Sequence, residues 1–298
     1  MINKNVILTV FTPTYNRKNT LKRTYSSLCN QTCKDFVWLV VDDGSTDGTA
    51  NLVNRWRADD NDFEIQYIYK ENGGMHTAHN VAYANIKTEL NTCIDSDDSM
   101  PPNAVKVILD TWEQIRDKGY AGIMALDADM ATGKIIGKGF PNGAKEMTAT
   151  GYYAGGGSGD KKLIYRTDII NSVPSYPEFP GEKYVALAYK YILVDQSYKM
   201  FLLNEVVCDV EYLQTGSTNT MLDNYLQNPN GWIFWRKIQM TYPYNLFHLL
   251  KNCIHYCSSC IIAQKQQIVE NSPKKLLTVI CFPFGWILSK YIKNKARI

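Results

Sequence analysis

Short apolar runs alternate with amphipathic segments along the first hundred residues. The runs are rich in β-branched and aromatic residues and have the length of strands buried on both faces. Between them, apolar residues recur at helical spacing, as Leu21, Tyr25 and Leu28 do. The predicted strands are residues 6–11, 36–41, 63–69 and 90–94. Strands that alternate with helices predict a mostly parallel α/β sheet flanked by helices, with right-handed crossovers.

The pattern is less regular after residue 100. A helix is predicted at residues 103–118 and another at 185–191, and the aromatic and apolar residues after Gly231 predict further helices. The glycines between residues 151 and 160 predict a loop. Further strands are expected at residues 123–126, 134–136 and 208–213. The expected domains are an α/β domain over residues 1–225, with halves 1–100 and 101–225, and a helical C-terminal region over residues 226–298.

Composition narrows the class of protein. A net charge of +3 with 20% charged residues gives no support to a general nucleic-acid role. The eight cysteines lack the spacing of a secreted disulfide scaffold, which favours reduced thiols in a cytosolic compartment. No signal peptide is expected at the N-terminus, and no uninterrupted apolar run reaches the roughly 18 residues expected of a spanning helix.

Polar motifs follow each of the four predicted strands. In a parallel sheet, ligands bind beyond the carboxyl ends of the strands, and all four motifs would meet there. Asp95 and Asp97 are two residues apart at a strand end. Two carboxylates with this spacing suit a hard cation such as Mg²⁺ or Mn²⁺. The alternative is an acidic turn that caps the next helix. The motifs are Thr12-Pro13-Thr14-Tyr15-Asn16-Arg17, Asp42-Asp43-Gly44-Ser45-Thr46-Asp47-Gly48-Thr49, Asn72-Gly73-Gly74 leading to His79-Asn80, and Asp95-Ser96-Asp97-Asp98.

The four motifs, in this order, resemble the donor-binding half of a family 2 glycosyltransferase. The resemblance is tight over residues 5–100 and looser to about residue 220. It implies the GT-A fold, a Rossmann-like and mostly parallel sheet with flanking helices, here followed by a C-terminal helical extension. It also implies inverting transfer from a nucleotide-sugar, usually a UDP-sugar.

The resemblance assigns roles to particular residues. Pro13 and Tyr15 would line the uracil pocket, and Asp42 would pair with the base. Asp95 and Asp97 would address the ribose, the phosphates and a metal ion, Mn²⁺ or Mg²⁺. The expected donor-contact residues are Pro13, Tyr15, Asp42, Asn72, Gly73, Asp95, Ser96 and Asp97. Many relatives have a basic residue after the two glycines, where this chain has Met75.

An inverting transfer needs a general base within hydrogen-bond reach of the acceptor hydroxyl. By resemblance, Glu182 fills this role, at the start of the helix predicted from residue 185. The alternative for Glu182 is an acid placed to favour the helix dipole. Asp195 is the second choice of base, and Asp160 is a candidate for holding sugar hydroxyls. Tyr212 and Ser217 are further candidate donor contacts, on a segment that resembles one closing over the donor.

Two C-terminal features have competing interpretations. Cys253, Cys257 and Cys260 lie near two histidines, but their spacing places them on one helix face and favours packing over zinc binding. The apolar segment 276–288 is followed by four basic residues, a pattern that fits a helix in the interface of an anionic membrane. The alternative is a terminal helix docked on the protein.

These observations predict a glycosyltransferase of bacterial surface polysaccharide synthesis, such as capsule or lipopolysaccharide. The expected acceptor is an oligosaccharide or a polyprenyl-linked glycan. The expected location is cytoplasmic, peripheral at the inner face of the cell membrane. One alternative is a non-catalytic partner subunit with the same fold. A dinucleotide-binding oxidoreductase is disfavoured because no GxGxxG motif follows the first strand.

Overall fold

The computed structural model describes residues 6–211 and 221–295. The candidate contacts Tyr212 and Ser217 lie outside the described residues. By the clustering of its contacts, the chain divides into two compact units, one of Met1–Ser175 with Lys190–Tyr212 and one of Tyr176–Tyr189 with Leu213–Ile298. Residues 176–189 were expected in the α/β domain and instead cluster with the C-terminal region. The predicted domain boundary at residue 225 stays a prediction.

The first unit contains an eight-stranded sheet with helices between the strands. Its strands are β1 (Leu8–Thr14), β2 (Phe36–Asp42), β3 (Glu64–Tyr69), β4 (Leu90–Cys93), β5 (Gly122–Asp129), β6 (Glu146–Met147), β7 (Lys161–Arg166) and β8 (Met200–Val210). Its helices are α1 (Leu21–Cys29), α2 (Thr49–Ala58), α3 (Met75–Asn85), α4 (Ala104–Ile115), α5 (Ala149–Ala154) and α6 (Thr167–Ser172), and α7 (Ala188–Val194) follows.

The strand order is β3-β2-β1-β4-β7-β5-β8-β6. β1 is parallel to β2 and to β4, and β2 is parallel to β3, as the alternation of strands and helices predicts. β7 lies between β4 and β5 and is antiparallel to both, whereas β5 and β8 are parallel. The mostly parallel α/β sheet expected from the sequence is therefore confirmed, with one strand reversed in its middle.

Aromatic side chains fill the space between β2 and its flanking helices. Trp38 is fully buried, and its indole N–H donates to the Thr12 hydroxyl at 3.0 Å. The ring of Tyr25 stacks on Trp38 at 5.9 Å and on Trp56 at 4.2 Å between centroids. The helical spacing of these residues thus places α1 and α2 against one face of the sheet. The loops that precede the two helices lie at the carboxyl ends of β1 and β2.

The second unit is helical in its described part. Its helices are α8 (Met221–Gln227), α9 (Pro229–Thr241), α10 (Leu246–Ile262) and α11 (Lys275–Lys295). Cys253, Cys257 and Cys260 are buried on one face of α10 and pack in a core with Cys281 of α11. The prediction that these cysteines serve packing is therefore consistent with their burial.

Several predicted elements after residue 120 have different bounds or were missed. The loop expected at residues 151–160 begins inside α5, and neither β7 nor α6 was predicted. The strand expected at residues 134–136 is limited to one bridge between Ala128 and Ile135. The strand expected at residues 208–213 begins earlier, at Met200, because β8 pairs with β5 along its length. The helix expected from residue 185 begins at Ala188.

Candidate functional site

Three parallel strands end together at one edge of the sheet. The pairing of β1 with β2 continues to Thr14 opposite Asp42, whereas the pairing of β1 with β4 ends at Phe11 opposite Cys93. Pro13 therefore lies in the strand rather than in the loop predicted there. Its missing N–H is tolerated because β1 has a partner on only one side at this point. The pairing of β1 with β4 therefore ends earlier than that of β1 with β2, and the polar segment after β4 begins at this point.

Asp43 holds two of these loops together. Its carboxylate is buried and accepts hydrogen bonds from the backbone N–H groups of Gly73 at 2.9 Å and Gly74 at 2.8 Å. The side-chain amide of Asn72 donates to the same carboxylate at 2.9 Å, and the Lys70 ammonium group contacts it at 2.6 Å. A buried carboxylate requires such compensation. The loop after β3 is therefore folded around a charge that follows β2.

Close backbone approach at this point requires glycine. Gly44 has a φ of +87°, and a Cβ atom there would lie 2.8 Å from the backbone nitrogen of Asn72. A Cβ atom on Gly73 would lie 2.8 Å from the Thr77 hydroxyl oxygen. Any side chain at either position would separate the two loops or strain the backbone. The predicted donor contacts Asn72 and Gly73 thus already have structural roles at the edge.

Asp42, predicted to contact the base, is fully buried. One carboxylate oxygen accepts the Ser45 backbone N–H at 2.8 Å, and the other accepts the Tyr67 hydroxyl at 2.7 Å. Burial, and then the hydrogen bond to Asp42, raise the pKa of Tyr67, so this hydroxyl stays protonated and donates. The base contact of Asp42 stays a prediction, and its observed contacts hold the turn after β2.

The loop after β1 is joined to the loop after β2. The Asn16 backbone N–H donates to the Ser45 hydroxyl at 2.8 Å, and the Asn16 side-chain oxygen accepts the Thr46 N–H at 2.8 Å. Asn16 adopts a positive φ of 52°, which asparagine tolerates better than most residues. Tyr15 is 48% exposed at this edge. Its ring is therefore accessible to a ligand, whereas Pro13 is buried.

The acidic segment after β4 forms a compact turn against α1. The Asp98 N–H donates to the Asp95 carbonyl at 3.0 Å, and the Thr24 hydroxyl donates to the Asp98 carbonyl at 2.9 Å. The Arg23 guanidinium donates to the Asp97 carbonyl and pairs with Glu211. Ser96 is buried within the turn. The backbone is therefore held from α1, and the side chains of Asp95 and Asp97 remain partly exposed.

Burial, together with neighbouring carboxyl groups, raises pKa values in the turn. Burial raises the pKa of Asp98 to about 7, and Asp95 and Asp97 add to this shift while Lys162 opposes it. Burial and the charge of Asp95 also raise the pKa of Asp97. A bound cation would relieve this crowding of negative charge.

The neighbouring strands β5 and β7 contribute two charged residues that the sequence did not single out. Asp127 on β5 is buried, one of its oxygens has no hydrogen-bond partner among the described residues, and burial raises its pKa to about 6. On β7, the Lys162 ammonium donates to the Cys93 carbonyl at 3.3 Å. The neighbouring groups Cys208, Asp127, Asp98 and Asp95 raise the pKa of Lys162 against the opposing effect of burial. A lysine inside a strand gives no local sequence signal of this role.

The adjacent Lys161 fixes the loop before β7. Its ammonium group donates to the carbonyl oxygens of Ile136 at 2.9 Å, Ser158 at 3.2 Å and Asp160 at 2.9 Å. Asp160, a candidate for holding sugar hydroxyls, is exposed at the end of this loop. Its predicted role stays a prediction.

The two candidate bases have structural contacts. Glu182, in the second unit, accepts hydrogen bonds from the Asn230 N–H at 2.9 Å, the Asn230 side chain at 2.6 Å and the Gly231 N–H at 2.8 Å. It thus caps the start of α9, not the helix that was expected at residue 185. Asp195 accepts the backbone N–H groups of Ala149 at 3.2 Å and Thr150 at 2.7 Å, at the start of α5. The role of either residue as a base stays a prediction.

The residues at the acidic turn fit a divalent cation that takes part of its coordination from a ligand. Within residues 6–211 and 221–295, no group of three or more His, Cys, Asp or Glu side chains is arranged to hold a metal ion. Asp95 and Asp97 would supply two carboxylates, and Mg²⁺ commonly completes its octahedral coordination with waters and phosphate oxygens. Burial and the charge of Asp95 raise the pKa of Asp97, which is consistent with a site that gains from added positive charge.

The fold and this edge define a GT-A type of α/β protein. A family model described as glycosyl transferase family 2 matches residues 9–167, more than half of the chain. The chain belongs to glycosyltransferase family 2. The resemblance recognised from the four motifs is therefore confirmed.

Curated relatives match the same region. Hyaluronan synthase of Pasteurella multocida is 30% identical over 156 residues, which make up 51% of this chain and 16% of that protein. Chondroitin synthase of Pasteurella multocida (strain Pm70) is also 30% identical over 156 residues, with the same two shares of 51% and 16%. The matched region thus represents a small part of each relative.

Solved structures show the same fold over nearly the whole chain. S. aureus TarS 1-349 in complex with UDP-GlcNAc has a TM-score of 0.59 at 16% identity and covers 98% of this chain and 91% of that one. A mannosyltransferase from Pyrobaculum calidifontis in complex with GDP-Man and Mn²⁺ has a TM-score of 0.54 at 14% identity and covers 98% and 89%. The predicted GT-A fold is confirmed.

The substitution Asp43→Asn tests the role of the buried carboxylate. It leaves the Lys70 charge without its partner and points an amide N–H at the backbone donors of residues 73–74. We expect the free energy of unfolding to fall by about 3 kcal/mol, measured by denaturant titration. Glu71→Gln changes an exposed acid of the loop after β3 and should cost much less. Equal losses in the two variants would contradict the role assigned to Asp43.

The raised pKa of Asp98 predicts a dependence of stability on pH. Because this pKa lies above its value in the unfolded chain, the stabilising contribution is fully present below about pH 4 and is lost as the pH rises through about 7. Asp98→Asn should therefore gain roughly 2–4 kcal/mol relative to the unchanged protein between about pH 4 and about pH 8. The measurement is urea unfolding across this range. The exposed control Asp110→Asn should show a nearly constant difference, and a constant difference for Asp98→Asn would refute the prediction.

Proposed function

We propose that the chain transfers a sugar from a nucleotide-sugar, most simply a UDP-sugar, to an acceptor hydroxyl with inversion at the anomeric carbon. The observation that carries the proposal is the acidic turn of Asp95 and Asp97 at an edge where the loops after β1, β2 and β3 are joined by Asn16 and Asp43. Membership of glycosyltransferase family 2 supports the reaction class. The family also disfavours the oxidoreductase alternative.

The donor would lie along the carboxyl edge of β1, β2 and β4. The exposed ring of Tyr15 offers a surface on which a flat base can stack. The backbone near Gly73, which carries no side chain of its own, would lie beside the nucleotide. The complexes of TarS with UDP-GlcNAc and of the mannosyltransferase with GDP-Man support a nucleotide-sugar as the ligand of this fold.

A divalent cation, Mn²⁺ or Mg²⁺, would be held by Asp97 and Asp95. When bound, it would supply positive charge for the diphosphate leaving group. Lys162 adds a positive charge that interacts with Asp95. Such fixed charges stabilise the transition state because they need no reorganisation as the bond breaks. The Mn²⁺ in the mannosyltransferase complex supports this assignment.

The acceptor would be a growing glycan or a lipid-linked sugar of a bacterial surface polysaccharide. The names of the relatives, hyaluronan synthase and chondroitin synthase, support a polysaccharide product. We also propose that transfer takes place at the inner face of the cell membrane, where lipid-linked acceptors would be available. The acceptor hydroxyl would lose its proton to Glu182, the base proposed from the sequence.

Asp97→Asn tests the donor site. The variant loses one negative charge without a change of size, so cation-dependent hydrolysis of the donor should fall by about 100-fold or more. The assay is a panel of UDP-sugars with Mn²⁺, with Mg²⁺ and with a chelator. The control Asp110→Asn, on the exposed surface of α4, should keep full activity. Unchanged hydrolysis in Asp97→Asn would exclude this site, and no hydrolysis in the unchanged protein would favour a non-catalytic subunit.

Glu182→Gln separates a base from a helix cap. If Glu182 is the base, transfer should be lost while the affinity for UDP stays nearly the same. The cap predicts in addition a loss of about 1 kcal/mol in stability, because one oxygen that accepts an N–H of α9 is replaced by a donor. Transfer, UDP binding and thermal unfolding should be measured together, with Glu270→Gln as the exposed control. Normal transfer with reduced stability would leave only the cap, and Asp195 would be the next base to test.

A further inference from the structure

Helix α11 has an apolar outer face. The exposed large apolar side chains of the helix lie outside the narrow stripe of its buried residues. They carry substantial exposed fractions, such as 78% for Leu276, 59% for Ile287 and 51% for Trp286. The complete set of exposed large apolar residues is Leu276, Val279, Ile280, Phe282, Phe284, Trp286, Ile287 and Tyr291. A surface helix of a globular protein normally places polar residues on this side.

The inner face of α11 is made of smaller residues. A Cβ atom on Gly285 would lie 2.4 Å from Cβ of Cys257, so α11 lies very close to α10 at this point. The buried residues of this face are Thr278, Cys281, Gly285, Ser289 and Ile292. The helix is thus packed by its small residues and leaves its large apolar residues outside. A wholly buried core helix would not show this arrangement.

The charges around the apolar face all have the same sign. No acidic residue occurs between residues 275 and 295, and lysines stand at both ends of the helix. Lys290 extends over the Trp286 ring, with its ammonium group 5.7 Å from the ring centroid. A tryptophan beside a lysine is typical of the boundary between acyl chains and headgroups. The basic residues that flank the face are Lys274, Lys275, Lys290, Lys293 and Lys295.

Length alone does not decide how such a helix meets a membrane. With 21 residues, α11 is long and apolar enough to cross one by length and composition, although no crossing was expected from the sequence. Its inner face, however, is packed on α10 through Gly285. α10 in turn packs on α9, where the buried Arg236 of α9 donates a hydrogen bond to Asn252 of α10. A crossing helix would have to take these neighbours into lipid or leave them. A helix that lies in the plane of the membrane keeps this packing.

We propose that α11 lies in the interface of an anionic lipid bilayer. Its outer apolar face would be buried at the level of the upper acyl chains, and its lysines would contact the anionic headgroups. Apolar burial and charge attraction act together at such surfaces. The proposal concerns the second unit alone and does not depend on the donor site.

The full chain should sediment with vesicles of phosphatidylcholine containing phosphatidylglycerol, and much less with phosphatidylcholine alone. Ile280→Glu combined with Ile287→Glu should weaken vesicle binding by about 100-fold, from the lost transfer of two isoleucine side chains. Replacement of Lys290, Lys293 and Lys295 by Gln should weaken it by a similar factor of about 100. Ile135→Glu is the control, since Ile135 is 44% exposed on the first unit. Donor hydrolysis should be unchanged in all these variants.

Other results would overturn the proposal. Equal binding to neutral and anionic vesicles would refute the contact of the lysines with anionic headgroups. No effect of the isoleucine substitutions would show that α11 is not the surface that binds the vesicle. Bound protein that resists extraction with alkaline carbonate would indicate a helix that crosses the bilayer. A dimer in solution that the isoleucine substitutions dissociate, in a chain that does not bind vesicles, would assign the face to a second copy. Unfolding curves of each variant distinguish lost binding from lost folding.

Discussion

The need to compensate one buried charge, that of Asp43, organises the edge on which the candidate site depends. An isolated carboxylate away from water is too costly to persist, so the chain supplies donors from Lys70, Asn72 and two glycine N–H groups. These donors come from the loop between β3 and α3. Because β2 and β3 are parallel neighbours, both loops leave the sheet on the same side and can meet. The edge that we propose as the nucleotide-sugar site is therefore held in place by contacts within the protein.

The first hundred residues could be predicted closely because local and global preferences agree there. Runs such as residues 36–41 are buried on both faces, so nearly every position is apolar and the strand is evident. The second half departs from this rule. β7 begins with Lys161 and Lys162, whose charges are compensated by distant carbonyl and carboxyl groups, and such compensation leaves no periodic signal. α5 was hidden by the glycines that follow it.

The candidate site divides in the same way. Residues chosen for their place after a strand, such as Asp95 and Asp97, lie at the expected edge. The contacts of individual side chains could not be predicted, because they depend on partners far along the chain. The Asp42 carboxylate accepts a hydrogen bond from the Tyr67 hydroxyl. The Glu182 carboxylate accepts one from the backbone N–H of Asn230 at the start of α9, forty-eight residues later in the sequence. A sequence motif thus predicts where a site lies in the fold. Which carboxylate oxygens can still bind a ligand depends on the hydrogen bonds that each carboxylate already accepts within the protein.

The reversed direction of β7 has a consequence for how this edge can vary. Because β7 is antiparallel to β4, its beginning and the loop before it reach the edge where β4 ends. That loop is attached through the Lys161 ammonium group to carbonyl oxygens, which any sequence supplies. The side chains of this loop can therefore vary while the strand pairing is kept, except where glycine is required, as at Gly159, where a Cβ atom would lie 2.4 Å from the Ile136 carbonyl oxygen. A change of sequence in the loop before β7 would thus alter the surface beside the end of β4 without altering the sheet.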